Sequence, residues 1–241
     1  MSKGKAVPAP GYVSSDLVHF VGRNCDSNSE KYKVLENILS KQKLLPGGRE
    51  GQGNLRLCLN KKLTSNEMLL AEAVCFADIP PRCLDRHTEV YGRFGIAFPK
   101  TFLVPRGACP VFYLPRAAKC VDHRHTGEDR KTDREGFFEL VAGEWAKAQA
   151  ALQCRTGSSD TSHWSGMANL VLWYFLAYCK FFDHTLNPQH RENYYMEREW
   201  RIIGKLCFRP DDVSVIYVPG EDYLTKLQEA LPQYGEKVEV L

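Results

Sequence analysis

Glu197 and Glu199 stand two residues apart in the stretch Asn193-Tyr-Tyr-Met-Glu-Arg-Glu-Trp-Arg-Ile-Ile-Gly204, which reads as a loop turning into a β-strand. Side chains two apart on an extended backbone project to one face, so the pattern sets two carboxylates side by side. Like charges held that way repel unless a ligand, a cation or a basic neighbour divides their roles. The structural explanation is a solvated strand edge on which the acids pair with Arg198 and Arg201. The chemical one is a pocket that holds positive charge. Two carboxylates alone do not make a metal-binding acidic cluster, and no metal site is expected from them. Cys120, His123 and His125 have zinc-ligating types, but no second ligand pair with metal spacing stands near them.

The chemistry that fits a fixed carboxylate is cleavage of a nicotinamide riboside. Expelling nicotinamide leaves an oxocarbenium-like ribose, which a nearby negative charge stabilises. Such a site also needs a polar residue on a neighbouring strand and aromatic faces around the departing ring. His19 in the first predicted strand and Tyr91 at a predicted helix end are of those types. Taken singly, each has an ordinary structural role: His19 as a core histidine bonded to a carbonyl, Tyr91 as a packing aromatic, and Asp78 as a helix cap.

The elements that would position these residues follow from periodicity. Leu17–Val21 reads as the first core strand, and Tyr32, Leu35, Ile38 and Leu39 recur at helical spacing, with Pro46-Gly-Gly48 ending that helix near Leu45. Ala73–Ala77 is a second strand, and Pro81–Val90 a short helix placing His87 and Tyr91 four apart on one side. Arg93–Phe98 and Pro110–Leu114 read as strands across a turn containing Pro105-Arg-Gly107. Helices are expected over about 135–152 and 164–182, then the strand bearing Glu199, a strand over 213–218 and a helix over 222–231. Trp200 and Ile202 should face the core, opposite Glu199. Strands toward both ends with helices gathered between them imply α+β. No Gly-x-Gly-x-x-Gly follows a strand, which argues against a Rossmann cofactor site.

The 241 residues, 44% hydrophobic and with net charge +3, suit one domain over 1–241, with a flexible arm at 1–11 and a basic loop and helical insertion at 116–190. The charge is too small for a globally basic nucleic-acid protein, so any such surface must be local. Arg116, Lys119, Arg124 and their neighbours in 116–134 supply one, diluted by Asp122, Glu128, Asp129 and Asp133. Nine scattered cysteines without a Cys-x-x-Cys pair suggest reduced thiols. No signal peptide opens the sequence, and Leu170–Cys179 is too short to span a bilayer, so a cytoplasmic protein is expected.

Several blocks carry a resemblance: His19-Phe20, Lys43-Leu44-Leu45, Val74-Cys-Phe-Ala-Asp-Ile-Pro80, Tyr91-Gly-Arg-Phe-Gly-Ile-Ala-Phe98 and Glu197-Arg-Glu-Trp-Arg201. In order and spacing they resemble the AbiGi abortive-infection family of bacterial phage-defence proteins. The same blocks look like the ADP-ribosyltransferase fold, in particular the DarT-type and PARP-like enzymes. That second likeness implies an ADP-ribosyltransferase-like split β-sheet with a helical insertion before the catalytic strand, and NAD as substrate. It implies that His19 and Phe20 with Phe76 and Tyr91 bind the NAD, Glu199 is catalytic with Glu197 as its partner, and Arg116, Lys119 and Arg124 meet an acceptor, nucleic acid favoured. Two departures stand out: Cys75 replaces a tyrosine of the PARP-like pattern, and Phe20 replaces a glycine. The AbiGi likeness implies the alternative of a non-catalytic antitoxin that binds a toxin partner.

Overall fold

A computed structural model describes residues 14–48, 55–57, 69–80, 83–115, 175–182, 185–187, 190 and 197–241. The chain divides into two compact units, one of residues 1–53, 72–110 and 197–241 and one of residues 54–71 and 111–196. The described strands, in chain order, are β1 (Asp16–Phe20), β2 (Lys43–Leu44), β3 (Leu55–Leu57), β4 (Leu69–Ala71), β5 (Ala73–Ala77), β6 (Gly95–Pro99), β7 (Cys109–Pro110), β8 (Phe112–Pro115), β9 (Cys179–Phe182), β10 (Glu199–Ile203), β11 (Leu206–Cys207), β12 (Val215–Val218) and β13 (Val238–Val240). The described helices are α1 (Asn28–Lys41), α2 (Asp85–Tyr91), α3 (Lys100–Leu103) and α4 (Glu221–Ala230). The architecture is α+β.

In the first unit seven strands form one sheet in the order β13-β12-β6-β1-β5-β10-β7. All neighbours are antiparallel except β12 and β13. Strand residues alternate between faces, and the register sorts them. One face carries Leu17, His19, Val74, Phe76, Ile96, Phe98, Trp200, Ile202, Ile216 and Val218. Most of these belong to the main core, together with Tyr32, Leu35 and Leu39 of α1 and Leu227 of α4. The other face carries Val18, Phe20, Ala77, Ala97, Tyr217, Glu199 and Arg201, and its smaller apolar cluster includes Ile79 and Leu84. Trp200 and Ile202 therefore do lie opposite Glu199, as alternation predicts.

The sheet has a thin place at β1–β5, where Val18 and Ala77 make the one registered pair. On the other side of β1, five residues are in register with β6. The His19 ring nitrogen Nδ1 bonds the Cys75 carbonyl at 2.8 Å across that gap, doing what a ladder hydrogen bond does elsewhere.

α1 begins with a capping box: the Ser27 hydroxyl accepts from the Glu30 amide, and the Glu30 carboxylate accepts from the Ser27 amide. The helix stops at Lys41, short of the predicted Leu45. Gln42 turns left-handed (φ 51, ψ 41) and its amide caps the Ile38 and Leu39 carbonyls. Lys43–Leu44 is thereby freed to pair with Leu206–Cys207. α2 starts at Asp85, later than the predicted Pro81, and its N-cap is Leu84, so Asp78 does not cap it. The predicted strand at Pro110–Leu114 is two: β7 on the sheet edge beside β10, and β8 in the second unit.

In the second unit β3 pairs antiparallel with β4, and β8 pairs parallel with β9. Most of the expected helix over 164–182 lies outside the described residues. Its last residues are a 3-10 turn, Leu176–Tyr178, followed by β9. The Cys-Lys-Phe-Phe segment pairs as a parallel strand with Phe112–Pro115, where its backbone groups find ladder partners. Residues 1–11, 116–174 and the expected helix over 135–152 also lie outside the described residues, with the basic residues Arg116, Lys119 and Arg124.

Candidate functional site

Three consecutive residues, where the chain re-enters the sheet, each reach a different partner. Glu197 accepts the Tyr91 hydroxyl, Arg198 reaches Asp78, and Glu199 receives the Arg201 guanidinium. Arg198 is left-handed (φ 47), which interrupts strand alternation between the two acids. The two acids reach one side of the sheet without the expected continuous strand: Glu199 is the first residue of β10 and Glu197 lies before it. The two acids nevertheless both act on Tyr91. Burial first, then the charge of Glu197 and its hydrogen bond, and last the charge of Glu199, push the phenol far above its ordinary range, with Arg23 opposing. Tyr91 stays protonated and is the donor to Glu197.

Glu199 and Arg201 are both buried, with Nε 2.7 Å from Oε1. Two residues apart on β10 they do share a face, so a charge-assisted hydrogen bond closes between them. Removing either partner would leave the other as an uncompensated buried charge, so the pair has a structural role of its own.

Around Tyr91 the rings gather. Phe20 stacks on it at 5.8 Å between centroids with 23° between planes, His87 lies 6.1 Å away, and Phe20 and His87 stack at 6.2 Å. The predicted pairing of His87 and Tyr91 on one side of their helix holds. The Arg23 guanidinium lies over the Tyr91 ring, 5.2 Å from its centroid.

The structure brings Phe20, Tyr91, Glu197 and Glu199 toward one side of the sheet. It does not bring His19 or Phe76 there. His19 alternates with Phe20 along β1 and meets the Phe76 ring edge-on at 5.9 Å on the main-core face. Burial lowers its pKa, against the Cys75 hydrogen bond that raises it. The register puts the His19 imidazole and the Glu199 carboxylate on opposite faces of the sheet.

Asp78 is an ion-pair centre and not the expected helix cap. It is buried and binds Lys100 Nζ at 2.9 Å and Arg198 Nη2 at 3.4 Å through one oxygen, while its own amide donates to the Arg198 carbonyl. The pairing of Arg201 with Glu199 is the one the sequence offers; nothing local marks Lys100 or Arg23, whose partners Asp78 and Tyr91 come from other segments. Among the described residues no group of three His, Cys, Asp or Glu could hold a metal ion, and no helix is long and apolar enough to cross a membrane.

A family model described as "Putative abortive phage resistance protein AbiGi, antitoxin" matches residues 60–226. The chain belongs to the AbiGi family. The matched segment takes in β5, α2 and the Glu197–Arg201 block, so the aromatic stack around Tyr91 and both acid pairs fall largely inside the part that defines AbiGi. Comparison with curated proteins and with solved structures yields no match.

Proposed function

We propose that this AbiGi protein is the antitoxin of an abortive phage-resistance system and neutralises a toxin by binding it. The observation that carries this reading is the family match over residues 60–226, whose description names an antitoxin. The site geometry agrees with a binding role: Glu199 is engaged by Arg201, Glu197 by Tyr91, and His19 serves the sheet on the other face. The decisive experiment expresses the protein alone and together with the toxin candidate from the neighbouring gene. Expression alone should be harmless, co-expression should relieve the toxin's growth arrest, and the two proteins should purify together. Growth arrest by this protein alone, relieved by Glu199→Ala, would overturn the reading.

A second reading, an ADP-ribosyltransferase-like protein that cleaves NAD and modifies a macromolecule, nucleic acid favoured, has one observation in its favour. Phe20, Tyr91, Glu197 and Glu199 share a side of the sheet, giving aromatic rings and carboxylates suited to a cationic ribose transition state. On this reading Glu199 supplies the stabilising charge, and Arg201 must yield it during turnover. Incubation with nicotinamide-labelled NAD tests it: label release lost in Glu199→Gln supports catalysis, and no release from the unmodified protein removes it.

A further inference from the structure

The Tyr91 ring is electron-rich by construction. Its hydroxyl donates to the Glu197 carboxylate, which pushes negative charge toward the phenol. An aromatic face with that electrostatic character attracts cations, guanidinium above all, because its plane can lie flat on the ring. The protein displays such a contact itself: exposed Arg23, in the loop between β1 and α1, covers the ring at 5.2 Å. Phe20 and His87 hold Tyr91 from within the fold at near-parallel angles of 23° and 30°, so the receiving ring is fixed while the covering side chain is a long, solvated one.

We propose that the Tyr91 face, backed by Glu197, is a receptor for an arginine side chain of a protein partner, and that Arg23 occupies it in the isolated chain. The proposal rests on the antitoxin reading for the partner's being a protein. Charge complementarity selects the occupant: a planar cation gains from the ring and from Glu197 behind it, whereas an anion or a neutral side chain does not. Binding exchanges one guanidinium for another and releases Arg23 to solvent or to the partner's own acids.

The test uses the full chain and N-acetyl-arginine amide as probe, followed by the NMR signals of the Tyr91 ring. N-acetyl-lysine amide and the uncharged N-acetyl-citrulline amide serve as comparisons. A solvated cation–π contact is populated about two to five to one over its open form, so Arg23→Ala should tighten arginine-probe binding about three- to six-fold by removing the internal competitor. Tyr91→Leu should abolish binding, and Tyr91→Phe, which keeps the ring and loses the Glu197 bond, should weaken it without unfolding the protein. Citrulline binding equal to arginine, or no gain in Arg23→Ala, overturns the proposal. The toxin candidate supplies the second arm. Probe binding in this pattern with no toxin binding keeps the site and sinks the antitoxin reading. Toxin binding indifferent to both Arg23→Ala and Tyr91→Phe keeps the reading and sinks the site.

Discussion

Lys100→Met should destabilise the protein more than Asp78→Asn, because the two members of that pair face water differently. The Asp78 side chain is 7% accessible, Lys100 22% and Arg198 42%. One Asp78 oxygen gathers both cations, and the other is buried without a hydrogen-bond partner among the described residues. Removing Lys100 leaves a buried carboxylate with the 3.4 Å Arg198 contact as its remaining ion pair. Stranding a fully buried charge costs about 3–5 kcal/mol, and the retained guanidinium and the partial solvation of Lys100 reduce this to about 2–3 kcal/mol. The same variant gives up the cation–π contact of Lys100 with Trp200 at 5.3 Å. Asp78→Asn instead abolishes the buried charge and releases two cations that can reach water, for about 1 kcal/mol. For a chain of this length those figures correspond to midpoints lowered by roughly 4–12 °C and 2–4 °C. The double variant should lie closer to Asp78→Asn than to the sum of the two. Calorimetry and urea unfolding followed by tryptophan fluorescence, with Trp200 at the site, measure all three. Equal losses in the single variants, or strict additivity in the double, would refute this account of the buried acid.

Two further outcomes follow from the first strand and the loop after it. Burial holds the His19 pKa below its ordinary 6.5, so the unfolded chain binds more protons than the folded one between those two values; the associated stability is present above pH 6.5 and is lost as pH falls through that window. His19→Gln should flatten this part of the stability–pH curve, and an unchanged slope in urea titrations at stepped pH would exclude His19 as its source. Gly22→Ala places a side chain at φ +80 with its Cβ 2.5 Å from Lys31 Cγ, whereas Gly47→Ala at φ +55 meets open space. The first should cost about 1–3 kcal/mol in urea unfolding and the second less, since both bear left-handed strain but one adds a clash.

The strands were legible where local pattern and tertiary role agree. Ala73–Ala77 is uniformly apolar or small and lies mid-sheet, and Glu199–Ile203 places Trp200 and Ile202 on the core face by strand alternation. Boundaries failed where one residue's backbone decides the matter, as at Gln42, whose left-handed turn ends α1 early without a glycine to announce it. The candidate site was legible as a set of residue types and illegible as a meeting. His19 and Phe20 are adjacent in sequence and so project to opposite sides of β1, which makes them unsuited to a shared pocket. Tyr91 and Glu197 meet across 106 positions, a pairing no local periodicity encodes. Asp78 ahead of a predicted helix suggests a cap, while its partners, Lys100 and Arg198, come from other segments of the chain.

The order in which the ribosome delivers the sheet has a cost of its own. Ala77 lies against Glu199, and Ile96 against Ile216, so β5 and β6 must wait for more than a hundred residues before their outer neighbours emerge. At about 5–20 residues per second that is of the order of ten seconds with two strand edges bare. A nascent or prematurely terminated chain would therefore be prey to proteases and to sticking to its own copies, and cellular supply of the finished protein would track translation speed as much as folded stability.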